Sequence, residues 1–116
     1  MYKFDDAIPI LIEKFPYMRN IYEEKEWLYK RSQFMFFGIE FFAYIVDIAN
    51  QNNHEELQRV CHFLEDMLTN GDEITQNLIE VGVIESVFLQ DDKFNLEDLK
   101  KNFGELTMKS YEACFE

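Results

Sequence analysis

Apolar residues recur along this chain at spacings of three and four, and no window alternates apolar with polar positions as a half-buried strand does. The pattern predicts an all-α fold. A first helix opens at Asp5 or Asp6, either of which can cap free backbone amides, and it tolerates Pro9 in its first turn. Its inward face is Ile8, Leu11, Ile12 and Phe15. Phe15-Pro16 ends it, because the residue before a proline is pushed out of the helical region. A second helix, about Tyr17 to Arg31, turns Met18, Ile21, Tyr22, Leu28 and Tyr29 inward. Trp27 falls about 180° from Met18 at 100° per residue. It reads first as a ring packed under another part of the chain and second as an exposed anchor for a partner.

The third helix, about Ser32 to Asn50, is apolar on nearly every side. Phe34, Phe37, Phe41, Ile45 and Ile48 form one stripe, and Met35, Ile39, Phe42 and Val46 form another. Only Phe36, Glu40, Ala43 and Asp47 mark a narrow outer strip. Such a helix must be covered from several directions, so it is central or lends a stripe to a partner or a second copy. After the turn Asn50-Gln51-Asn52-Asn53, Asn53 and Glu56 have the spacing of a capping box. In the fourth helix Leu57, Val60, Cys61, Leu64 and Leu68 face inward, with Arg59, His62, Glu65 and Asp66 outward.

Asn70-Gly71 closes that helix and Asp72 caps a fifth, giving an antiparallel hairpin. Ile74, Leu78, Val81 and Phe88 fall on one stripe of the fifth helix, with Glu85 in its middle. Thr75, Ile79, Gly82 and Ser86 form a second strip where a neighbouring helix can approach closely. Gly82 costs about 1 kcal/mol relative to alanine in a helix, and close packing is a reason for it. Gln90 to Lys93 reads as a loop. Asn95 caps a short helix bearing Leu96, Leu99 and Phe103, and a terminal segment from about Thr107 to Phe115 docks through Met108, Tyr111, Cys114 and Phe115. The expectation is one all-α domain over residues 1–116, a compact bundle of five to seven helices. Hairpin stacking of the HEAT or armadillo type predicts the same order of elements.

Charge changes this picture. The net charge is −12 over 116 residues, and it is concentrated. Residues 1–31 carry six bases and six acids, residues 32–92 carry twelve acids against Arg59 alone, and residues 93–116 carry four bases and five acids. A field of that sign attracts basic surfaces and repels phosphate backbones, which disfavours nucleic acid as a partner. The same acids also keep an apolar protein in solution, with or without a partner. The longest apolar stretch, Phe34 to Ala49, is interrupted by Glu40 and Asp47 and falls short of the roughly 20 residues a membrane span needs. Two isolated cysteines, Cys61 and Cys114, behind an N-terminus without a secretory pattern predict reduced thiols in a cytoplasmic protein.

No motif for catalysis or cofactor binding stands out, so no catalytic, cofactor-binding or metal residue is predicted. His62 with Glu65 and Asp66 has helix-neighbour spacing, but Arg59 stands where a di-iron helix would need Glu. Glu85 is the buried-acid candidate, because its stripe points into the core. There a carboxylate must be paired, with Lys25 one partner, or have its pKa raised.

The run FLEDMLTNGDEITQNLIEVGVIESVF at 63–88, with Phe15-Pro16 ahead of a charged helix, resembles an uncharacterised bacterial family of short acidic proteins described as a domain of unknown function. Glu65, Asp72, Glu73 and Glu85 carry the resemblance, and it implies no activity. By analogy of size and charge such chains look like antitoxin or immunity proteins. The leading expectation is therefore a non-enzymatic module that binds a basic protein. Glu55, Glu56, Glu65, Asp66, Asp72 and Glu73 would steer the partner, and Trp27 or Phe36 would anchor it. The alternatives are a homodimer through the aromatic stripes of the third helix, and a small-ligand or metal site around Glu85.

Overall fold

Two long helices that meet backbone to backbone organise the molecule. The computed structural model describes residues 1–90, 92 and 95–116. After a short turn at Phe4–Asp6 come α1 (Ala7–Lys14), α2 (Tyr17–Glu24) and α3 (Glu26–Tyr29). Helix α4 (33–50) consists of Gln33–Met35, a wide i→i+5 turn at Phe36–Phe41, and Phe42–Asn50. Helix α5 is His54–Asn70. Helix α6 (73–89) repeats the construction of α4, with Glu73–Ile79, a wide turn at Glu80–Ile84, and Glu85–Leu89. Helices α7 (Leu96–Lys100) and α8 (Glu105–Ala113) follow. The expected loop at 90–93 includes Asp91 and Lys93, which lie outside the described residues.

Among the described residues every regular element is helical, apart from one isolated bridge between Tyr2 and Gly71. A radius of gyration of 13.2 Å suits a compact bundle of this length rather than an elongated stack of hairpins. Among the described residues there are eight helices rather than seven, because the expected second helix breaks at Lys25, whose φ of −132° is not helical. Lys25 is exposed.

The wide turns explain two failures of the regular helical wheel. An i→i+5 turn holds one residue more than an α-turn, so residues five apart approach the same face. Phe36 thereby joins Phe41 inside, fully buried against Tyr22 and Tyr29 at ring distances of 5.4 and 5.0 Å. It is not an anchor on an outer strip. In α6, Ile79 and Ile84 are both buried across the second wide turn, and Glu85 is carried out to solvent. Ile74 and Val81 are exposed, and the strip of Thr75, Ile79 and Gly82 is buried.

That strip meets α4. A Cβ built on Gly38 would lie 3.2 Å from the Gly82 carbonyl oxygen, so the two backbones touch in the middle of both wide turns. A Cβ on Gly82 would make only ordinary contacts with Leu78 and Phe37, at 3.5 and 3.6 Å. Gly38 is therefore the tighter of the two positions, where a methyl group would press on the Gly82 carbonyl by a few tenths of an ångström. The aromatic stripes of α4 are spent inside: Phe37 and Phe41 are buried, and Phe41 forms a triangle with Phe15 and Phe63 at 5.4 to 5.6 Å. Of the second stripe, Phe42 is buried, while Met35 and Ile39 are exposed. A second ring cluster joins Phe88, Tyr111 and Phe115 and seats α8, with Phe88–Phe115 at 4.8 Å.

Acids expected to steer a partner are held within the fold, Asp72 in its expected cap and Glu65 and Asp66 in long-range hydrogen bonds. Asp72 accepts from the Thr75 amide at the start of α6 and from the Phe4 amide, which ties down the N-terminal strap. Tyr2 completes the tie: its amide donates to Asn70 O, its carbonyl accepts from the Asp72 amide, and its hydroxyl donates to Asp66 at 2.6 Å. Gly71 is extended rather than left-handed (φ −82°), and a Cβ there would sit 2.5 Å from Met67 O. Glu65 reaches across to α8 and accepts from the Leu106 amide, the Thr107 amide and the Thr107 hydroxyl at 2.8 to 2.9 Å. Burial opposes ionisation of Glu65, but these three donors outweigh it and hold its pKa below the usual carboxylate range. Gly104 permits the approach, since a Cβ there would collide with the Glu65 carboxylate.

Two outcomes follow for stability. Gly38→Ala presses the new methyl group against the Gly82 carbonyl and should cost about 1–3 kcal/mol in denaturant unfolding, whereas Gly82→Ala should be neutral or stabilising by up to about 1 kcal/mol. Equal losses at both positions would contradict the crossing described. Glu65→Gln should cost about 1 kcal/mol at neutral pH. Because the folded-state pKa is depressed, the contribution of Glu65 is present above the ordinary carboxylate pKa and is lost as pH falls through that range. Unfolding followed from pH 7 down to about pH 3 should therefore bring the wild type and the variant together.

Candidate functional site

A broad concavity lies at the hairpin between α4 and α5. Asn52 adopts a left-handed conformation (φ 55°), which asparagine tolerates better than most residues, and Asn53 caps α5 by accepting from the Glu56 amide at 3.2 Å. Only this half of the capping box forms, because the Asn53 amide donates to Ile48 O instead. The tight reversal lays the last turns of α4 beside the first turns of α5, and the start of α2 closes the side. The result is an open groove of about 550 Å³ lined by Tyr17, Tyr44, Asp47, Glu55, Glu56 and Arg59, among others.

Within this groove the acids are unlike one another. Glu56 is engaged: it accepts from the Tyr44 hydroxyl and from Arg59, and its side chain is only 12% exposed. Burial, and then the carboxylate it faces, push the Tyr44 phenol well above its ordinary pKa. Arg59 also donates to Lys14 O and lies over the Phe15 ring, 4.9 Å from its centroid. Asp47 and Glu55 are exposed, and among the described residues their carboxylates have no hydrogen bond or ion pair. Tyr17 and Tyr44 stand ring to ring at 5.9 Å and 31°, and the Tyr17 side is open to solvent. Beyond Arg59 a second hollow of about 340 Å³ is lined by Lys14, Phe15, His62, Phe63 and Asp66.

The structure thus collects Glu55 and Glu56 in the groove and Asp66 beyond it. Glu65 and Asp72 cap helices, and Glu73 lies on the outer face of α6 beside Ile74 and Glu80. Trp27 is 68% exposed, against the packed position favoured on the wheel, because among the described residues no other element covers that face of α3; it stands apart from the groove lining. The site residues missed by periodicity are Tyr17, Tyr44 and Asp47. Asp47 was readable as outer-strip, and the asparagine turn is the signal that brings it beside Glu55.

Among the described residues no group of three His, Cys, Asp or Glu side chains is arranged to hold a metal. His62 is exposed, while Glu65 and Asp66 are committed to Thr107 and Tyr2. Cys61 and Cys114 are free thiols, and burial pushes Cys61 up to about 12, which keeps it protonated and inert. No described helix is long and apolar enough to cross a membrane. What the groove offers chemically is uncompensated negative charge beside an aromatic wall.

No curated protein and no solved structure matches the chain. A family model does, over residues 8–116, which takes in the groove, both wide turns and the described helices apart from the first residue of α1. By that match the chain belongs to the family described as a domain of unknown function, DUF7674.

Proposed function

We propose that this protein is a non-enzymatic binding module whose acidic α4–α5 groove engages a basic protein, in the manner of an immunity protein that masks a cationic target. The observation that carries this reading is the pairing state of the acids. Glu65, Asp66 and Asp72 are hydrogen-bonded within the fold, whereas Asp47 and Glu55 project unpaired into a groove. Repulsion among twelve acids in residues 32–92 lowers stability, and a cationic surface laid on the groove would relieve it. Groups of this kind act mainly on the rate and specificity of encounter, with affinity supplied by whatever packs beside them.

The test is salt. The immobilised protein should retain basic proteins at about 50 mM salt and release them by about 300 mM, where exposed charges more than about 6 Å apart are screened. Retention that does not change over this range, or of proteins without basic character, would remove the electrostatic basis of the proposal.

A further inference from the structure

We infer that the groove takes an arginine side chain of its partner, with the guanidinium lying on the Tyr17 ring and shared between the carboxylates of Asp47 and Glu55; this rests on the basic-partner reading above. The chain already shows how it holds a guanidinium. Arg59 is set between an aromatic face, Phe15 at 4.9 Å, and a carboxylate, Glu56. The same two ingredients recur across the groove in Tyr17 with Tyr44 and in Asp47 with Glu55.

The ring geometry selects the kind of cation. At 5.9 Å and 31° the two tyrosines pack on each other and form one continuous wall, with no gap between the rings for a cation. A spherical ammonium or methylated ammonium is best served by a cage of several rings facing inward. A planar guanidinium needs one open aromatic face and carboxylates beside it, and the groove is lined by a tyrosine wall together with the two free acids Asp47 and Glu55. Tyr44 cannot turn away easily, because its hydroxyl is tied to Glu56. Tyr17 is 69% exposed, so its outer face is the one available. The groove residues counted as charges, Asp47, Glu55, Glu56 and Arg59, sum to −2, so one cation from a partner leaves the site short of neutral and a second in the same peptide adds to binding.

Tetra-arginine and tetra-lysine peptides, titrated at about 50 mM salt with amide NMR as the readout, test this directly. The variants are Tyr17→Ala, the pair Asp47→Asn with Glu55→Gln, and a control pair Glu73→Gln with Glu80→Gln that removes the same charge from the exposed face of α6. All the substituted side chains are exposed, and circular dichroism checks that each variant is folded. Tetra-arginine should bind about fivefold tighter than tetra-lysine, and Tyr17→Ala should erase that preference. The groove pair should weaken tetra-arginine about tenfold and the control pair no more than about threefold. Binding with no preference between the peptides and equal loss in both charge pairs would overturn the inference while leaving a basic partner in place. Failure of either peptide to bind at low salt would overturn both.

Discussion

The contact between the backbones of α4 and α6 at Gly38 and Gly82 sets the spacing of the whole bundle. Helix axes separated by ordinary side chains stand 8–10 Å apart, and here the missing Cβ of Gly38 lets the Gly82 carbonyl of the other helix come within 3.2 Å of where that Cβ would be. Both helices carry a wide turn at the crossing, Phe36–Phe41 in one and Glu80–Ile84 in the other. Each turn spreads an extra residue around the helix, so more apolar surface faces inward than a uniform helix would present. Phe36, Phe37, Phe41, Val83 and Ile84 are all buried as a result. With the two helices so close, Phe15 and Phe63 can reach Phe41 from α1 and α5, and the single cluster of core residues extends on to Leu99 and Tyr111.

Most helices were legible in the residues because their apolar periodicity is regular. In α5 every side chain expected inside is inside, and the caps at Asn53 and Asp72 form as their spacing suggests. The failures are local and share physical causes. Phe36 and Glu85 were misplaced because a constant 100° per residue cannot anticipate a turn one residue wider, and the glycine at each crossing point was the available sign of irregular packing. Glu65 and Asp66 face outward from α5 as predicted, but the wheel of one helix says nothing of what arrives later: Thr107 reaches Glu65 across 42 residues and Tyr2 reaches Asp66 across 64.

The candidate site was legible only in part for the same reason. Charge concentration in residues 32–92 pointed to acids as a group, yet it could not separate those that stabilise the fold from those left to a partner. That separation depends on long-range hydrogen bonds. Five of the six acids named from sequence lie on α5 or its connection to α6, with Glu73 opening α6, and three of the six are consumed by caps and straps. Asp47, passed over as the mark of a solvated strip, ends beside Glu55 because Asn52 reverses the chain. The function proposed for the groove therefore depends on the architecture set by the crossing, since α4 must lie against α5 and α6 for Tyr44 and Asp47 to face α2.

If the crossing governs the bundle, its amides should be among the last to open, in spite of their irregular hydrogen bonding. Native-state hydrogen exchange read at Phe41, Phe42, Val83 and Ile84 tests this most directly. The account predicts that these four exchange only through global unfolding, with the same free energy as the centre of α5. Faster exchange at the wide turns, through a local opening that leaves α5 protected, would show that the glycine contact is a consequence of the fold and does not hold it together.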